Sequence, residues 1–227
     1  MSEAVEEVAN QVLGPTYDLP VDLHHLARTL HVTVRKHAPI DVLGETRRVP
    51  NGYEVALRDG QSPQRWRFTF AHELAHVLLD GSKRMLLPTA NLEHLCDRIA
   101  GAILMPRADV RSRIMKRTAA ELICIAADFN VSLHAAAARF ALFTGASVFR
   151  ASPATSTAPV AVVQLAGVLS HGDSNVRRTI ADALPECRPT IASTQHGNAH
   201  HLWDVEFAPL RKGDILCIFL RREVLLR

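Results

Sequence analysis

Two histidines stand four residues apart, His72 and His76, inside a mostly apolar segment covering residues 66–79. Residues four apart lie one above the other on one face of an α-helix. The segment Trp66-Arg67-Phe68-Thr69-Phe70-Ala71 ahead of them and Val77-Leu78-Leu79 after them is apolar enough to sit in a core. The spacing therefore predicts a buried helix that carries two imidazoles on one side. Such a helix must supply partners for both rings, because buried polar groups need them.

Imidazoles at this spacing can reach one metal ion, and Glu73 between them can serve as general base to a water at that ion. This is the arrangement of a zinc peptidase. Two histidines do not complete such a site; a third protein ligand is the usual set. The segment Glu93-His94-Leu95-Cys96-Asp97 follows at a useful distance, and the helix it begins continues to Met105-Pro106. Glu93 and Asp97 share a face of it. Glu93 is the expected third ligand, and Asp97 is placed to accept a hydrogen bond from a ligand imidazole. His94 points about 100° away from Glu93 around the helix. Asp80 lies one turn beyond His76, at a helix end that Gly81 is expected to cap. Ser82 stands where a third histidine of the metzincin pattern would be.

The chain resembles the ImmA/IrrE family of metallopeptidases. The resemblance is carried by Arg67-Phe68-Thr69, by residues 72–76, by Glu93 with Cys96-Asp97, and by Leu104-Met105-Pro106. Leu19-Pro20-Val21-Asp22-Leu23 with Leu26-Ala27 is similar to the family's first helix. Asn51-Gly52-Tyr53-Glu54-Val55-Ala56-Leu57 is similar to its strand before the metal helix. Cys96 and Gly101 occupy places where the family usually has Ala. The match runs over roughly residues 5–145. It implies a cytoplasmic zinc-dependent endopeptidase whose targets are helix-turn-helix repressors of mobile elements or stress regulons. The alternative function is a peptidase-like module that sequesters a regulator without cleaving it.

At 227 residues, with 48% hydrophobic and 22% charged residues, the composition is that of an ordinary globular chain. A net charge of +3 neither demands nor excludes nucleic acid. The acidic start, Met1-Ser2-Glu3-Ala4-Val5-Glu6-Glu7, is unlike a signal peptide. No apolar run approaches a membrane span, so a cytoplasmic location and no membrane partner are expected. None of Cys96, Cys124, Cys187 and Cys217 forms a Cys-any-any-Cys pair. Cys96, Cys124 and Cys217 are expected to be buried thiols, and Cys187 more exposed.

Helical spacing of Val5, Val8, Ala9 and Val12 ends at Gly14-Pro15. A short helix is expected over 21–30, a strand over 32–35, a loop over 38–50 and a strand over 53–58. Residues 118–145 read as a helix-turn-helix pair, with Asn130-Val131-Ser132 as the turn. Its second helix carries one arginine, Arg139, and almost no base-reading side chains. A packing module is therefore expected, with no sequence-specific DNA binding. Arg107, Arg111, Arg113, Lys116 and Arg117 read as a solvated face.

Residues 151–159, small and polar with Pro153 and Pro159, read as a linker. Strands over 160–165, 203–207 and 215–220 and a helix over 175–184 follow. His196, His200 and His201 are expected on a polar loop at the surface. The expected fold is α+β. It comprises a zincin-like, mostly helical metallopeptidase domain with a small sheet (1–117), a helix-turn-helix-like subdomain (118–150) and a small α+β module (160–227). Residues 1–150 are expected to fold alone. Tyr53, His24 and His25 are candidate donors to a developing oxyanion. The strand at Tyr53 to Leu57 is a candidate to pair with substrate backbone.

Overall fold

The computed structural model describes residues 2–80, 89–152, 161–167, 169, 174–183, 190–196, 199–210 and 214–221. Among these the fold is α+β, with eight helices and two sheets. In chain order they are α1 (Ser2–Leu13), α2 (Leu23–Thr29), β1 (Val32–Ala38), β2 (Gly44–Val49), β3 (Gly52–Arg58), α3 (Pro63–Leu79), α4 (Thr89–Leu104) and α5 (Arg107–Arg113). There follow α6 (Ala119–Asp128), α7 (Leu133–Thr144), β4 (Ser147–Ser152), β5 (Ala161–Ala166), α8 (Ser174–Ala183), β6 (Thr190–His196), β7 (Ala199–Pro209) and β8 (Ile215–Arg221). The chain divides into two compact units, Met1–Val110 with Ala126–Ser132, and Arg111–Ile125 with Leu133–Arg227.

The first unit is built on α3. Ser62 opens the helix by accepting from the Arg65 amide at 3.3 Å, and Pro63 follows as a first helical residue whose missing N–H costs nothing there. Phe70, Ala71, Leu74 and Ala75 are fully buried. The helix α4 packs beside α3, burying Cys96, Ile99, Ala100 and Ile103. A three-stranded sheet of order β1-β3-β2 completes the unit. The central strand β3 runs parallel to β1 and antiparallel to β2, and its Val55 and Leu57 are fully buried.

Strand β2 falls where a loop was expected. Its sequence, Gly-Glu-Thr-Arg-Arg-Val, has no apolar alternation because it is an edge strand with one side open. Its presence also changes which backbone is free. Both edges of β3 are already paired, so Tyr53 to Leu57 cannot receive an added strand; the outer strands are β1 and β2, and of these β2 borders the cavity-lining residues.

The second unit is organised by an antiparallel sheet of order β5-β4-β8-β7-β6. Phe149, Trp203, Val205, Cys217 and Phe219 on one face bury against Val176 and Ile180 of α8. Leu216 and Ile218, which alternate with these on β8, are also buried, so this strand is apolar on both sides. Ala151 and Ser152, expected in a linker, are the end of β4 and pair with β5; residues 153–159 lie outside the described residues.

Helix α6 begins with a capping box. The Glu121 amide donates to the Thr118 hydroxyl, and the Thr118 amide donates to the Glu121 carboxylate. Asn130, at φ +49°, ends the helix in the left-handed region that asparagine tolerates. Helix α7 then buries Ala135, Ala136, Ala137, Phe140 and also Arg139. Its one arginine is thus spent on packing. Cys124, expected in the core, is exposed. The run Leu-Ile-Cys-Ile-Ala-Ala is apolar on every face, and only Leu122 and Ile125 of its first turns face inward. Cys96 and Cys217 are buried as expected, and Cys187 lies outside the described residues. The backbones of His196, His200 and His201 belong to β6 and β7, not to a loop.

Candidate functional site

Helices α3 and α4 face each other along matched polar stripes. On α3 the stripe is His72 and His76, one turn apart; on α4 it is Glu93, Cys96 and Asp97, at the i, i+3 and i+4 spacing of one helical face. The Nε2 atoms of the two histidines stand 3.2 Å apart. Glu93 reaches both, with Oε2 at 3.1 Å from His72 Nε2 and Oε1 at 3.5 Å from His76 Nε2. The outward nitrogens find partners on the same α4 face. His72 Nδ1 is 2.8 Å from Asp97 Oδ1, and His76 Nδ1 is 3.5 Å from Cys96 Sγ.

These contacts shift the titrating groups. Burial opposes charge on His72, but the hydrogen bond and charge of Asp97, with Glu73 and Glu93 beyond, outweigh it and hold the imidazole above its usual range. Burial pushes the Cys96 thiol up to about 12, and the three nearby carboxylates add to the effect.

Glu73 is buried between the two helices' stripe and the sheet. Strand β2 supplies its surroundings. The Thr46 hydroxyl donates to Glu73 Oε2 at 2.7 Å, with the Glu73 carbonyl 3.1 Å away. Gly44, two residues earlier on the same strand face, leaves no room for a side chain. A Cβ there would stand 2.7 Å from both Glu73 Oε1 and Thr69 Cγ2. Arg48, two residues beyond Thr46, completes the row. A cavity of about 380 Å3 is lined by this row, by Tyr53 and Asp80, and by His72, Glu73, His76 and Glu93.

Among the candidate oxyanion donors, only Tyr53 lines the cavity. Its hydroxyl donates to Asp80 at 2.6 Å, and Arg48 stands 3.8 Å from the same carboxylate. The bond to Asp80, with some burial, raises the Tyr53 phenol above its ordinary range. His24 instead packs against Trp66 and Phe70, with ring centroids 5.8 and 5.3 Å away. His25 is exposed and does not line the cavity. Asp80 caps α3, its N–H bonding to the carbonyls of His76 and Val77, and serves as partner to Tyr53. His94 is exposed and faces away from the cavity-lining set. Gly81 and Ser82 lie outside the described residues.

The donor set suits a zinc-type cation. Two imidazole nitrogens and a carboxylate oxygen are the ligand types of catalytic zinc sites. Ligand atoms about 2.0–2.1 Å from one tetrahedral centre stand about 3.3 Å apart; the two Nε2 atoms here stand 3.2 Å apart, and Glu93 approaches each with a different oxygen, at 3.1 and 3.5 Å. Among the described residues this is the group of His, Cys, Asp or Glu side chains compact enough to hold an ion, with all donor atoms within 4.8 Å. Sequence reasoning did not find Gly44, Thr46 or Arg48. The signal was present only as every-second-residue spacing in a strand that carries no apolar pattern.

A helix with His72, Glu73 and His76, faced by a second helix with Glu93 and roofed by a small sheet, defines a metallopeptidase-like domain. The model of the IrrE N-terminal-like domain, Peptidase M78, matches residues 27–141, just over half of the sequence. The chain belongs to this family. No curated protein matches it. Among solved structures it resembles a Mycobacterium tuberculosis transcriptional regulator, with a TM-score of 0.57 at 16% identity, over 97% of this chain and 76% of that one. At that identity the likeness is one of fold. No helix among the described residues is long and apolar enough to cross a membrane.

Proposed function

We propose that the chain is a zinc-dependent endopeptidase acting in the cytoplasm on a regulatory protein. The expected substrate is a helix-turn-helix repressor of a stress or mobile-element response. The observation that carries the chemistry is the convergence of His72, His76 and Glu93 beside a cavity that also holds Glu73. The substrate class follows from the family alone.

His72, His76 and Glu93 would hold the zinc. When bound, zinc would supply Lewis acidity, polarising the scissile carbonyl and lowering the pKa of water so that a hydroxide-like nucleophile is available. Glu73 takes the proton from the attacking water and passes it to the amine as the carbon–nitrogen bond breaks. A carboxylic acid and an amine leave, and at neutral pH the acid's remaining proton passes to the amine, giving a carboxylate and an ammonium. Thr46 holds one oxygen of Glu73, which leaves the other free for the proton. Asp97 fixes the ring of His72. Tyr53, released from Asp80 by a hydroxyl rotation, is the side chain best placed to donate to the developing oxyanion. An extended substrate can add to the open edge of β2, where Gly44 keeps the approach to Glu73 narrow. No DNA reading is assigned to α7, whose exposed positions include His134, Ala138 and Leu142.

The test uses the purified chain, supplied with zinc, and a panel of helix-turn-helix regulators from the same genome, beginning with any encoded beside its gene. Fragments are mapped by mass spectrometry. Cleavage of one regulator by the chain, abolished by chelator and by Glu73→Gln, is expected. Equal cleavage by Glu73→Gln would remove Glu73 from the chemistry. Capture of a regulator with no cleavage would leave a sequestering module in place of a peptidase.

A further inference from the structure

We propose that Cys96 is a positioning residue for His76, the counterpart of Asp97 at His72. The inference rests on the reading of His72, His76 and Glu93 as metal ligands. A histidine that turns Nε2 toward a cation keeps its proton on Nδ1, and that N–H needs an acceptor. For His72 the acceptor is Asp97, at 2.8 Å. For His76, among the described residues, the Cys96 sulfur is in reach at 3.5 Å. The two acceptors are neighbours on α4, and they meet histidines one turn apart on α3. A single register between the two helices therefore sets both rings.

The burial of Cys96 makes the sulfur matter. It is fully enclosed, among Ile99, Ala100 and Ile103 on the same inward side of α4. The His76 side chain is 23% exposed, but its contact with the sulfur is part-buried, and an N–H that loses its partner there is costly. Thiol sulfur is a weak acceptor. The pair of helices thus offers a cation one imidazole backed by a carboxylate and one backed by a thiol.

The experiment measures metal affinity of the full chain, with no peptidase substrate. Zinc is titrated in competition with a chromophoric chelator, and cobalt(II) spectra are recorded on the same variants. Cys96→Ala is expected to weaken zinc binding by roughly tenfold, the low end of what loss of a supporting partner costs. Cys96→Ser, whose oxygen is an acceptor, is expected to recover most of the loss. Melting curves of the metal-free variants, read beside the titrations, separate misfolding from lost orientation. Cys96→Ala with wild-type zinc affinity overturns the proposal, as does an equal loss in Ala and Ser, which would mean packing alone. A sulfur-to-cobalt charge-transfer band in the wild type, lost in Cys96→Ala, overturns it too, by making Cys96 a ligand. If the wild type binds no zinc while folded, the metal-site reading itself fails. A wild type that binds, with an unaffected Cys96→Ala, sinks the positioning role only.

Discussion

The Thr46 hydroxyl donates to the Glu73 carboxylate at 2.7 Å and ties an edge strand to the middle of the core helix. A hydrogen bond to a charged group contributes about 1.5–3 kcal/mol. If that energy holds Glu73 in its working position, Thr46→Val should lower turnover by roughly tenfold or more and leave zinc binding intact. Thr46→Ser should restore it. Steady-state kinetics should show the change in kcat with KM nearly constant. A change confined to KM would place Thr46 in substrate binding instead.

Gly44→Ala tests the same contact from the other side. The added methyl would meet Glu73 Oε1 and Thr69 Cγ2 at 2.7 Å, so β2 or Glu73 must move. Overpacking of this kind costs about 1–3 kcal/mol. The variant should melt several degrees lower and lose cleavage while still binding zinc. An unchanged melting temperature with full activity would show that β2 yields freely there.

Removal of the proposed ligands separates metal binding from chemistry. His72→Ala and His76→Ala should abolish the expected single zinc per chain, and Glu93→Ala should weaken it. Asp97→Ala should cost about 10–100-fold in affinity, because it removes only the support of His72. Glu73→Gln should keep the metal and lose cleavage. Elemental analysis and competitive titration read these outcomes. Full zinc retention in either histidine variant would displace the site.

In the second unit, Glu121 makes stability depend on pH. Burial works to raise its pKa, but the amides of Lys116, Thr118, Met115 and Arg117 outweigh that and lower it. A carboxylate held below its unfolded range stabilises the fold above the unfolded pKa of about 4.3. That contribution disappears as pH falls through the folded value. Glu121→Gln should therefore cost about 1 kcal/mol near pH 7, as for a lost cap. Melting curves of the two proteins should converge as the pH drops below about 4. A gap that stays constant with pH would mean that the charge of Glu121 contributes nothing.

The parts legible in the sequence share one property: their residues answer to a local period. His72 and His76 announce α3, and Glu93 with Asp97 announces the facing side of α4, because helical spacing is the reason these residues are where they are. Strand β2 is set instead by its pairing with β3 and by its contact with Glu73, neither of which leaves an apolar alternation. Strand β4 hid for a related reason. Ser-Val-Phe-Arg-Ala-Ser is short, its position between β5 and β8 comes from residues far along the chain, and Arg150 is paired with Asp214, 64 residues later. Cys124 failed from the opposite cause, since an all-apolar helix does not say which face is inward.

The position of β4 changes what a truncation should do. Residues 1–150 end inside it, and Val148 and Phe149, both fully buried, would lose the strands β5 and β8 that flank them. Exposing a Val or Phe side chain costs about 1.5–3 kcal/mol each, and the unpaired strand would offer both edges to other chains. A 1–150 fragment should therefore aggregate. A fragment of residues 1–132 contains the whole of the first unit, with the proposed ligands His72, His76 and Glu93 and with Gly44, Thr46 and Tyr53. It should stay soluble and bind zinc with an affinity near that of the intact chain. Size-exclusion chromatography and zinc titration of the two fragments decide the matter. A monomeric, zinc-loaded 1–150 fragment would show that β4 is dispensable to what precedes it, and a metal-free 1–132 fragment would show that the first unit needs the rest of the chain to form its site.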